Sequence, residues 1–304
     1  MPTKILKIEI ARKIVQIIFF TFFFSGILGV NPIAVVLPIS LSSASHGRII
    51  GEAFSTLQWM LSKPEFPFLP LASFLLVGVF LGRFMCGWLC PFGLIQELIS
   101  YIRRRKFEIS LGTHRTLVKF KYVILFLTLL ISGTLAVSLA TGTGLSYKRG
   151  LGKFASAPYN TLSPHETLFS LVPAIALRIQ ENIQVLYEKP MKTIISTLKG
   201  ISALMWTRMI ILIAFVMFSM RITRFWCKYL CPTGALMALI GRFSFLSLRR
   251  DPIRCTKCRK CMEICPMTVR VMDLPGEKIT DPECIYCFNC IEICEEKALK
   301  VKLI

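Results

Sequence analysis

The chain has 304 residues, 54% of them hydrophobic, and its mean hydropathy is +0.62. Such a composition argues against an ordinary soluble protein and indicates membrane spans. Lys and Arg outnumber Asp and Glu by 37 to 17, but the basic residues flank apolar stretches, where they fix orientation and meet anionic headgroups. We therefore expect membrane lipid, and not nucleic acid, as the partner of this excess charge.

Four apolar stretches are long enough to cross a bilayer, for which about 20 residues are needed. They cover residues 14–39, 66–85, 122–140 and 209–226. The first contains Asn31-Pro32 and Pro38, so its helix is expected to kink or to end early. It has no small-residue cleavage site, so we expect it to remain as an anchor. Between the last two stretches, residues 168–179 and 183–204 are amphipathic and are expected to lie on the outer surface or to re-enter.

The distribution of Lys and Arg predicts the orientation of these spans. Four basic residues precede the first span, two lie in residues 42–65, seven in residues 86–121, and thirteen follow Cys227. The positive-inside rule then places both termini and the middle loop in the cytoplasm of a multi-pass protein of the cell membrane. Residues 141–207 also hold seven basic residues, but this loop is longer and lacks a block like residues 103–106.

One motif occurs twice, as RFMCGWLCPFG in residues 83–93 and RFWCKYLCPTG in residues 224–234. Alignment of residues 82–99 with residues 223–240 gives nine identities in eighteen positions. Each copy ends a predicted span. We therefore predict two parallel repeats of two spans each.

The repeated motif contributes four cysteines: Cys86, Cys90, Cys227 and Cys231. If the motif is helical, each pair is spaced i, i+4 and shares one face, so four thiolates could meet. They could hold an iron-sulfur or zinc centre or act as redox-active dithiols, or they could simply help the helices to pack. Arg83 and Arg224 either reach the lipid headgroups or lie beside a cofactor.

The strongest pattern lies in the tail, where residues 255–266 read CTKCRKCMEICP and residues 284–294 read CIYCFNCIEIC. This is the bacterial ferredoxin pattern, in which the fourth Cys of each run joins the other cluster. One [4Fe-4S] cluster is predicted at Cys255, Cys258, Cys261 and Cys294. The second is predicted at Cys284, Cys287, Cys290 and Cys265. Zinc is the alternative, and Glu295 departs from the pattern at the position where Pro266 follows Cys265.

These patterns predict two domains. Residues 1–248 are expected to form a membrane α-helical domain of four transmembrane helices in two parallel repeats. Residues 249–304 are expected to form a small α+β ferredoxin domain with two [4Fe-4S] clusters, on the cytoplasmic side. Basic segments such as residues 103–106 and Arg249-Arg250 are expected to meet lipid or an acidic partner.

Four spans, two CxxxCP motifs and a two-cluster tail together resemble the NapH-type membrane ferredoxins, which are related to the membrane parts of NosR and CcoG proteins. The resemblance rests on Cys86, Cys90, Pro91, Cys227, Cys231, Pro232 and the eight tail cysteines. It implies a quinol dehydrogenase subunit that passes electrons from membrane quinol to a redox partner protein. It also implies that the chain works within a multi-subunit complex.

The histidines bear on two remaining questions. Haem is not expected as a carrier, because His46, His114 and His165 lie outside the predicted spans and no Cys-x-x-Cys-His occurs. Quinone binding needs an apolar slot with a proton acceptor, for which His46 with Glu52 and His165 with Glu166 are candidates, although either pair could equally consist of ordinary loop residues.

Two other functions fit the same motifs. The chain could be an iron-sulfur redox sensor or a factor that reduces a metal centre during its maturation. It could also be a membrane anchor of a larger oxidoreductase. No nucleotide-binding motif is present that would indicate a pump or a nicotinamide enzyme.

Overall fold

The computed structural model describes residues 7–24, 35–41, 50–63, 65–102, 109–171, 203–272, 277–279 and 281–303. The described chain is mostly helical. Its helices are α1 (Lys7–Phe24), α2 (Ala53–Leu61), α3 (Phe68–Leu81), α4 (Phe84–Trp88), α5 (Pro91–Ile102), α6 (Leu111–Ala140), α7 (Gly144–Leu151), α8 (Pro164–Glu166), α9 (Ala203–Arg221), α10 (Phe225–Tyr229), α11 (Pro232–Ile240), α12 (Lys260–Glu263) and α13 (Asn289–Glu292). Its strands are β1 (Val35–Leu37), β2 (Ile50–Glu52), β3 (Leu246–Arg250), β4 (Lys278–Ile279) and β5 (Leu299–Leu303).

Two helices are long and apolar enough to cross a membrane, judged by length and composition alone. They are α6 and α9, whose apolar windows have mean hydropathies of 2.4 and 2.0. Helix α3 is apolar but has only 14 residues, because Gly82 turns the chain with a φ of 57° before α4 begins. The four-span arrangement stays a prediction.

The stretch predicted at residues 14–39 does not form one helix. Helix α1 ends at Phe24, and β1 pairs in parallel with β2 from Val35 onward. Residues 25–34 lie outside the described part of the chain, as do residues 172–202, which include most of both amphipathic segments. The strand at Val35–Leu37 agrees with the expectation, drawn from the prolines, that the helix ends before the stretch does.

Each copy of the repeated motif has the same order of elements. An apolar helix (α3 or α9) is followed by a five-residue helix with the first cysteine (α4 or α10) and then by a helix that begins at the Pro of CxxxCP (α5 or α11). Proline is well suited to this first helical position, where its missing N–H has no partner in any case. At the start of α11, Cys231 Sγ also accepts from Gly234 N at 3.3 Å.

The tail forms a small three-stranded antiparallel sheet in the order β4-β3-β5. Leu246 pairs with Leu303 and Arg250 with Leu299, so β3 runs across the boundary predicted after residue 248. The apolar face of this sheet packs against Val269, Ile285 and the tail cysteines. The sheet thus closes one side of the core that surrounds these cysteines.

Helix α1 turns two polar residues inward and several apolar residues outward. Arg12 and Gln16 are fully buried, whereas Ile14 and Ile17 are exposed. The N-terminal end of the helix is held by the tail, since the backbone N–H groups of Lys7 and Ile8 donate to the two carboxylate oxygens of Glu292, at 2.5 and 2.7 Å. The first described helix therefore packs against the last.

Gly87 allows the first motif to approach the ferredoxin-type region closely. A Cβ atom at Gly87 would lie only 2.3 Å from the carbonyl oxygen of Ile285. The same Gly87 carbonyl accepts hydrogen bonds from Gln16 at 2.9 Å and Arg12 at 3.3 Å. Two helices and a tail turn therefore meet at this residue.

We predict that Gly87→Ala destabilises the protein by about 1–3 kcal/mol, because the methyl group forces these backbones apart. Gly133→Ala is the control, since a Cβ there would meet nothing within 4 Å. Thermal unfolding of the purified protein in detergent measures both changes. Equal unfolding temperatures for the Gly87 variant and the wild type would contradict the close packing.

Candidate metal centres

The distal set comprises the four cysteines predicted to hold the first cluster: Cys255, Cys258, Cys261 and Cys294. All four line one cavity of the ferredoxin-type region. Burial raises the pKa of Cys261, and the neighbouring thiols of the other three raise it further. The structure therefore brings the distal set together, with Cys258 exposed to solvent.

The proximal set comprises the cysteines predicted to hold the second cluster: Cys284, Cys287, Cys290 and Cys265. Burial raises the pKa of Cys290, and the thiols of Cys287, Cys284 and Cys265 raise it further. Burial raises the pKa of Cys265 to about 11, again with a contribution from Cys287. These four thiols are therefore neighbours, and Cys261 is close enough to affect Cys290 as well.

The backbone around the two sets repeats the same turns. Six non-glycine residues have positive φ at equivalent positions of the two motifs: Lys257 and Tyr286, Arg259 and Phe288, Thr268 and Lys297. After the last turn of each motif, a backbone N–H donates to a cysteine sulfur at 3.3 Å, from Val269 to Cys265 and from Ala298 to Cys294. Such N–H···S hydrogen bonds are characteristic of iron-sulfur sites, where they tune the reduction potential.

The four-cysteine centre comprises the cysteines of the repeated motif: Cys86, Cys90, Cys227 and Cys231. Ser40 links the two copies, because Cys90 Sγ lies 3.9 Å from its carbonyl and Cys231 Sγ lies 3.5 Å from its hydroxyl. Cys227 Sγ accepts from Gln96 Nε2 of the other copy at 3.1 Å. The thiols of Cys86 and Cys231, and those of Cys90 and Cys227, are close enough to interact electrostatically.

Two arginines cross between the copies of the motif. The guanidinium of Arg83, from the first copy, lies against Gly234 of the second, where a Cβ would be 3.1 Å from Nη2. Arg224, from the second copy, lies against Gly93 of the first, where a Cβ would be 3.3 Å from Nη1 and Nη2. The glycine of each CPxG turn thus leaves room for the arginine of the opposite copy.

Both arginines are buried, so the interpretation that they reach the headgroups is wrong. Their side-chain exposures are 2% for Arg83 and 0% for Arg224. Arg83 pairs with Glu283 at 2.9 Å, and Lys121 pairs with the same carboxylate. A buried cation needs a partner of opposite charge, and Glu283 supplies it for both Arg83 and Lys121.

Arg224 has a carboxylate partner of its own. Its Nε donates to Glu97 at 2.7 Å, and Arg12 binds the two Glu97 oxygens in bidentate fashion at 2.9 Å each. Its Nη1 also donates to the Cys86 carbonyl at 2.8 Å. Arg224 therefore ties both copies of the motif to α1.

The four-cysteine centre adjoins the proximal set. Trp88 Nε1 donates to the carbonyl of Tyr286 at 2.9 Å, and Cys86 packs against the core that contains Cys287. From the second copy, Lys228 Nζ donates to Thr268 Oγ1 at 2.9 Å. The proximal set therefore lies between the four-cysteine centre and the exposed distal set.

Each of the three donor sets consists of four cysteines, the number of thiolates that a [4Fe-4S] cluster takes. Among the described residues, no three His, Cys, Asp or Glu side chains converge as one ion requires. A [4Fe-4S] cluster distributes its four thiolates over four irons and so needs them farther apart. Arg83 Nη2 and Arg224 Nη2 are buried and have no hydrogen-bond partner in the described part of the chain. The negative charge of a thiolate-bound cluster would complement them at the four-cysteine centre.

Comparison with known families gives two matches. The family described as "4Fe-4S binding domain" matches residues 66–110 and residues 204–251. The family described as "4Fe-4S dicluster domain" matches residues 247–295. The first family thus matches each copy of the repeated motif, and the second matches the tail.

Related proteins point to the same group. An uncharacterized protein of Methanocaldococcus jannaschii is 24% identical over 96% of this chain and 95% of its own length. YccM of Escherichia coli, named as a proposed electron transport protein, is 27% identical over 74% of this chain and 52% of its own length. The ferredoxin-type protein NapH of Haemophilus influenzae is 35% identical over 25% of this chain and 29% of its own length. NirI of Paracoccus denitrificans and the regulatory protein NosR of Pseudomonas aeruginosa also match.

These matches identify an iron-sulfur protein of an electron transport family, similar to the ferredoxin-type proteins of the NapH/NosR group. The chain spans 63% of the length of a second uncharacterized protein of M. jannaschii, 52% of the length of YccM and 25% of the length of NirI. No solved structure matches it.

Several residues of this ferredoxin's sites were not identified from sequence. Glu97 was the one acidic residue in an apolar segment after the first motif, and Glu283 directly precedes Cys284; both positions could have marked them as partners of buried cations. The proposed pairing of His165 with Glu166 was also incomplete, since His165 Nε2 lies 3.5 Å from Glu52. His46 and the basic block at residues 103–106 lie outside the described residues.

Glu283 provides a test of the buried charges. Burial raises its pKa, but Arg83 and Lys121 outweigh burial and hold the pKa below its ordinary value, so the carboxylate is ionised at pH 7. We predict that Glu283→Gln lowers the free energy of unfolding by about 3–5 kcal/mol, because it leaves buried cations uncompensated.

The matched control is Glu295→Gln, which breaks the exposed pair with Lys260 and should cost less than about 1 kcal/mol. Unfolding of both anaerobically purified variants at pH 7, compared with the wild type, measures the difference. Equal effects of the two substitutions would show that the Glu283 pairs contribute no more than a surface contact.

Proposed function

We propose that this protein is the membrane-bound electron-transfer subunit of a quinol dehydrogenase. Electrons pass from membrane quinol to the four-cysteine centre, then to the proximal set, the distal set and a redox partner protein. The observation that carries this proposal is the position of the four-cysteine centre between an aromatic cluster and the core of the ferredoxin-type region.

The packing of the four cysteines supports a continuous relay. Cys90 and Cys231 pack among Phe92, Phe169 and Trp226 on one side. Cys86 packs with the proximal set on the other side. We assign one [4Fe-4S] cluster to the proximal set, one to the distal set, and a further iron-sulfur or thiolate centre to the four-cysteine centre. Such clusters would supply one-electron carriers at these three places.

The distribution of apolar and polar side chains supports a membrane location. Only 22% of the apolar window of α6 and 17% of that of α9 are buried, so these helices present apolar faces outward. The interior holds the ion pairs of Arg12, Arg83 and Arg224. Apolar outer faces around a polar interior are what a lipid environment favours. A soluble core helix would instead be mostly buried.

We further propose that α1, α3, α6 and α9 are the four spans, in two parallel repeats within a membrane domain of residues 1–248. The ferredoxin domain of residues 249–304 and both termini then lie in the cytoplasm. The distribution of Lys and Arg supports this orientation. Helix α3 is short for a span, and the following motif would complete its path across the bilayer.

The surface around the distal set suits an acidic redox partner within a larger complex. Cys258 is exposed, and the cavity of the distal set is lined by four basic residues, Arg250, Lys257, Arg259 and Lys260, against two acidic ones, Glu295 and Glu296. Basic residues beside the last carrier would attract and orient an acidic protein surface, which speeds association. The distal set is therefore the proposed exit for electrons.

A regulatory or maturation role is the second candidate, and the name of one relative favours it, since NosR is called a regulatory protein. A sensor would be reduced by quinol slowly or not at all. A simple membrane anchor, the third candidate, would keep its function without the four-cysteine centre.

We predict about twelve iron atoms per chain in anaerobically purified wild-type protein and about eight in Cys86→Ser/Cys227→Ser, because the double variant loses one four-iron centre. A short-chain quinol should reduce the tail clusters in the wild type but not in the double variant. Dithionite, which bypasses the four-cysteine centre, should reduce the tail clusters in both, as followed by EPR.

Eight iron atoms per wild-type chain would mean that the four-cysteine centre holds no iron, which would contradict a relay made of clusters. Equal reduction of both proteins by quinol would instead show that electrons do not pass through this centre. Failure of quinol to reduce the wild type would favour the sensor or the anchor.

A further inference from the structure

A buried network of polar side chains contacts the aromatic cluster that contains Cys90 and Cys231. His165 Nε2 lies 3.5 Å from Glu52 Oε2 and 3.3 Å from Ser163 Oγ. Asn160 Nδ2 donates to the same Glu52 oxygen at 3.1 Å. His165, Glu52 and Asn160 have exposures of 1% or less, so the network is closed to solvent.

Two atoms of this network are left free. In the described part of the chain, neither His165 Nδ1 nor Glu52 Oε1 has a hydrogen-bond partner. Leaving such atoms unpaired in the interior is costly, so buried polar groups nearly always have partners. A free imidazole nitrogen and a free carboxylate oxygen on two side chains that contact each other are suited to receive the hydroxyl groups of a ligand.

The network is held rigidly. Gln58 on α2 donates to Asn160 Oδ1 at 3.0 Å and accepts from Tyr159 N at 3.1 Å. Glu52 is placed by the pairing of β2 with β1. The free atoms are therefore preorganised, as a binding site requires.

Aromatic side chains connect this network to the four-cysteine centre. The ring of Tyr159 lies 5.8 Å from that of His165, and its hydroxyl accepts from Trp226 Nε1 at 2.8 Å. Trp226 directly precedes Cys227. Phe92, which directly follows Pro91 of the first motif, meets the His165 ring at 5.5 Å. The free atoms thus lie close to both copies of the motif.

We propose that His165 and Glu52 are the proton acceptors of the quinol site, an inference that rests on the proposed quinol dehydrogenase function. Oxidation of a quinol to a quinone breaks two O–H bonds and releases two protons and two electrons. His165 Nδ1 takes one proton and Glu52 Oε1 takes the other. The oxidant that takes the electrons, one at a time, is the oxidised iron-sulfur centre at the four cysteines.

The first test compares His165→Gln and Glu52→Gln with the wild type. Each substitution keeps a hydrogen-bonding side chain but removes the proton acceptor. We expect the rate at which a short-chain quinol reduces the clusters to fall about 100-fold, in the maximal rate more than in the quinol concentration needed. Iron content and reduction by dithionite should not change.

His114→Gln is the control variant. His114 is half-buried and its Nδ1 bonds to the Tyr229 hydroxyl at 2.8 Å, away from the proposed site. This variant should keep the wild-type rate. Wild-type rates in both site variants, while quinol reduces the wild type, would overturn the inference. A wild type that quinol does not reduce would overturn the proposed function itself.

A second test uses the unaltered protein and does not depend on turnover. A photoreactive azidoquinone, illuminated on the purified wild type, should label the segments that contain Glu52 or His165, as found by peptide mass spectrometry. Excess quinone should prevent the labelling. Labelling confined to other surfaces, such as the open groove along α6 beside Leu130, Gly133 and Val137, would overturn the inference even if the site variants fail to fold.

Discussion

The exchange of arginines between the two copies of the motif is the constraint on which the rest of the molecule depends. Arg83 and Arg224 are both buried, and each fits against the glycine of the opposite CPxG turn. Each also needs a carboxylate, because an unpaired cation in the interior is strongly destabilising. Those carboxylates come from different parts of the chain, Glu283 from the tail and Glu97 from α5. The two arginines therefore align the two copies of the motif with each other, and the Arg83–Glu283 pair aligns the tail with them.

This alignment explains the order of the candidate carriers. Because Arg83 reaches the residue directly before Cys284, the proximal set is fixed against the first motif. The two motifs of the ferredoxin-type region repeat the same turns, so fixing the proximal set also fixes the distal set, which lies farther out, beside a basic surface. On the opposite side, Tyr159 and Trp226 connect the four-cysteine centre to the buried His165 and Glu52. The proposed sites for proton acceptance, electron storage and electron exit thus follow one another through the protein.

Local patterns predicted the parts of this molecule that depend on local chemistry. The spacing of the cysteines predicted that Cys255, Cys258, Cys261 and Cys294 lie together, and these four line one cavity. The repeated motif singled out Cys86, Cys90, Cys227 and Cys231, and what each set binds stays a prediction. Helix ends were less predictable, since hydropathy continues through Gly82 although the backbone turns there. The partners of the buried charges and the contact between His165 and Glu52 could not be predicted, because they join residues far apart in sequence. Only the folded chain determines which acid meets which base.

The contact between Glu292 and α1 has a consequence for biosynthesis. A nascent chain emerges from its N-terminus, so Lys7 and Ile8 are made long before the carboxylate that binds their N–H groups. Until then the start of α1 lacks this cap, and its Arg12 has only partners made earlier, Glu97 of α5 and the carbonyl of Gly87. Glu292 reaches its place only when α13 has formed between Cys287 and Cys294. Final docking of the first helix is therefore a late event in assembly, because it waits for the segment that contains Glu292.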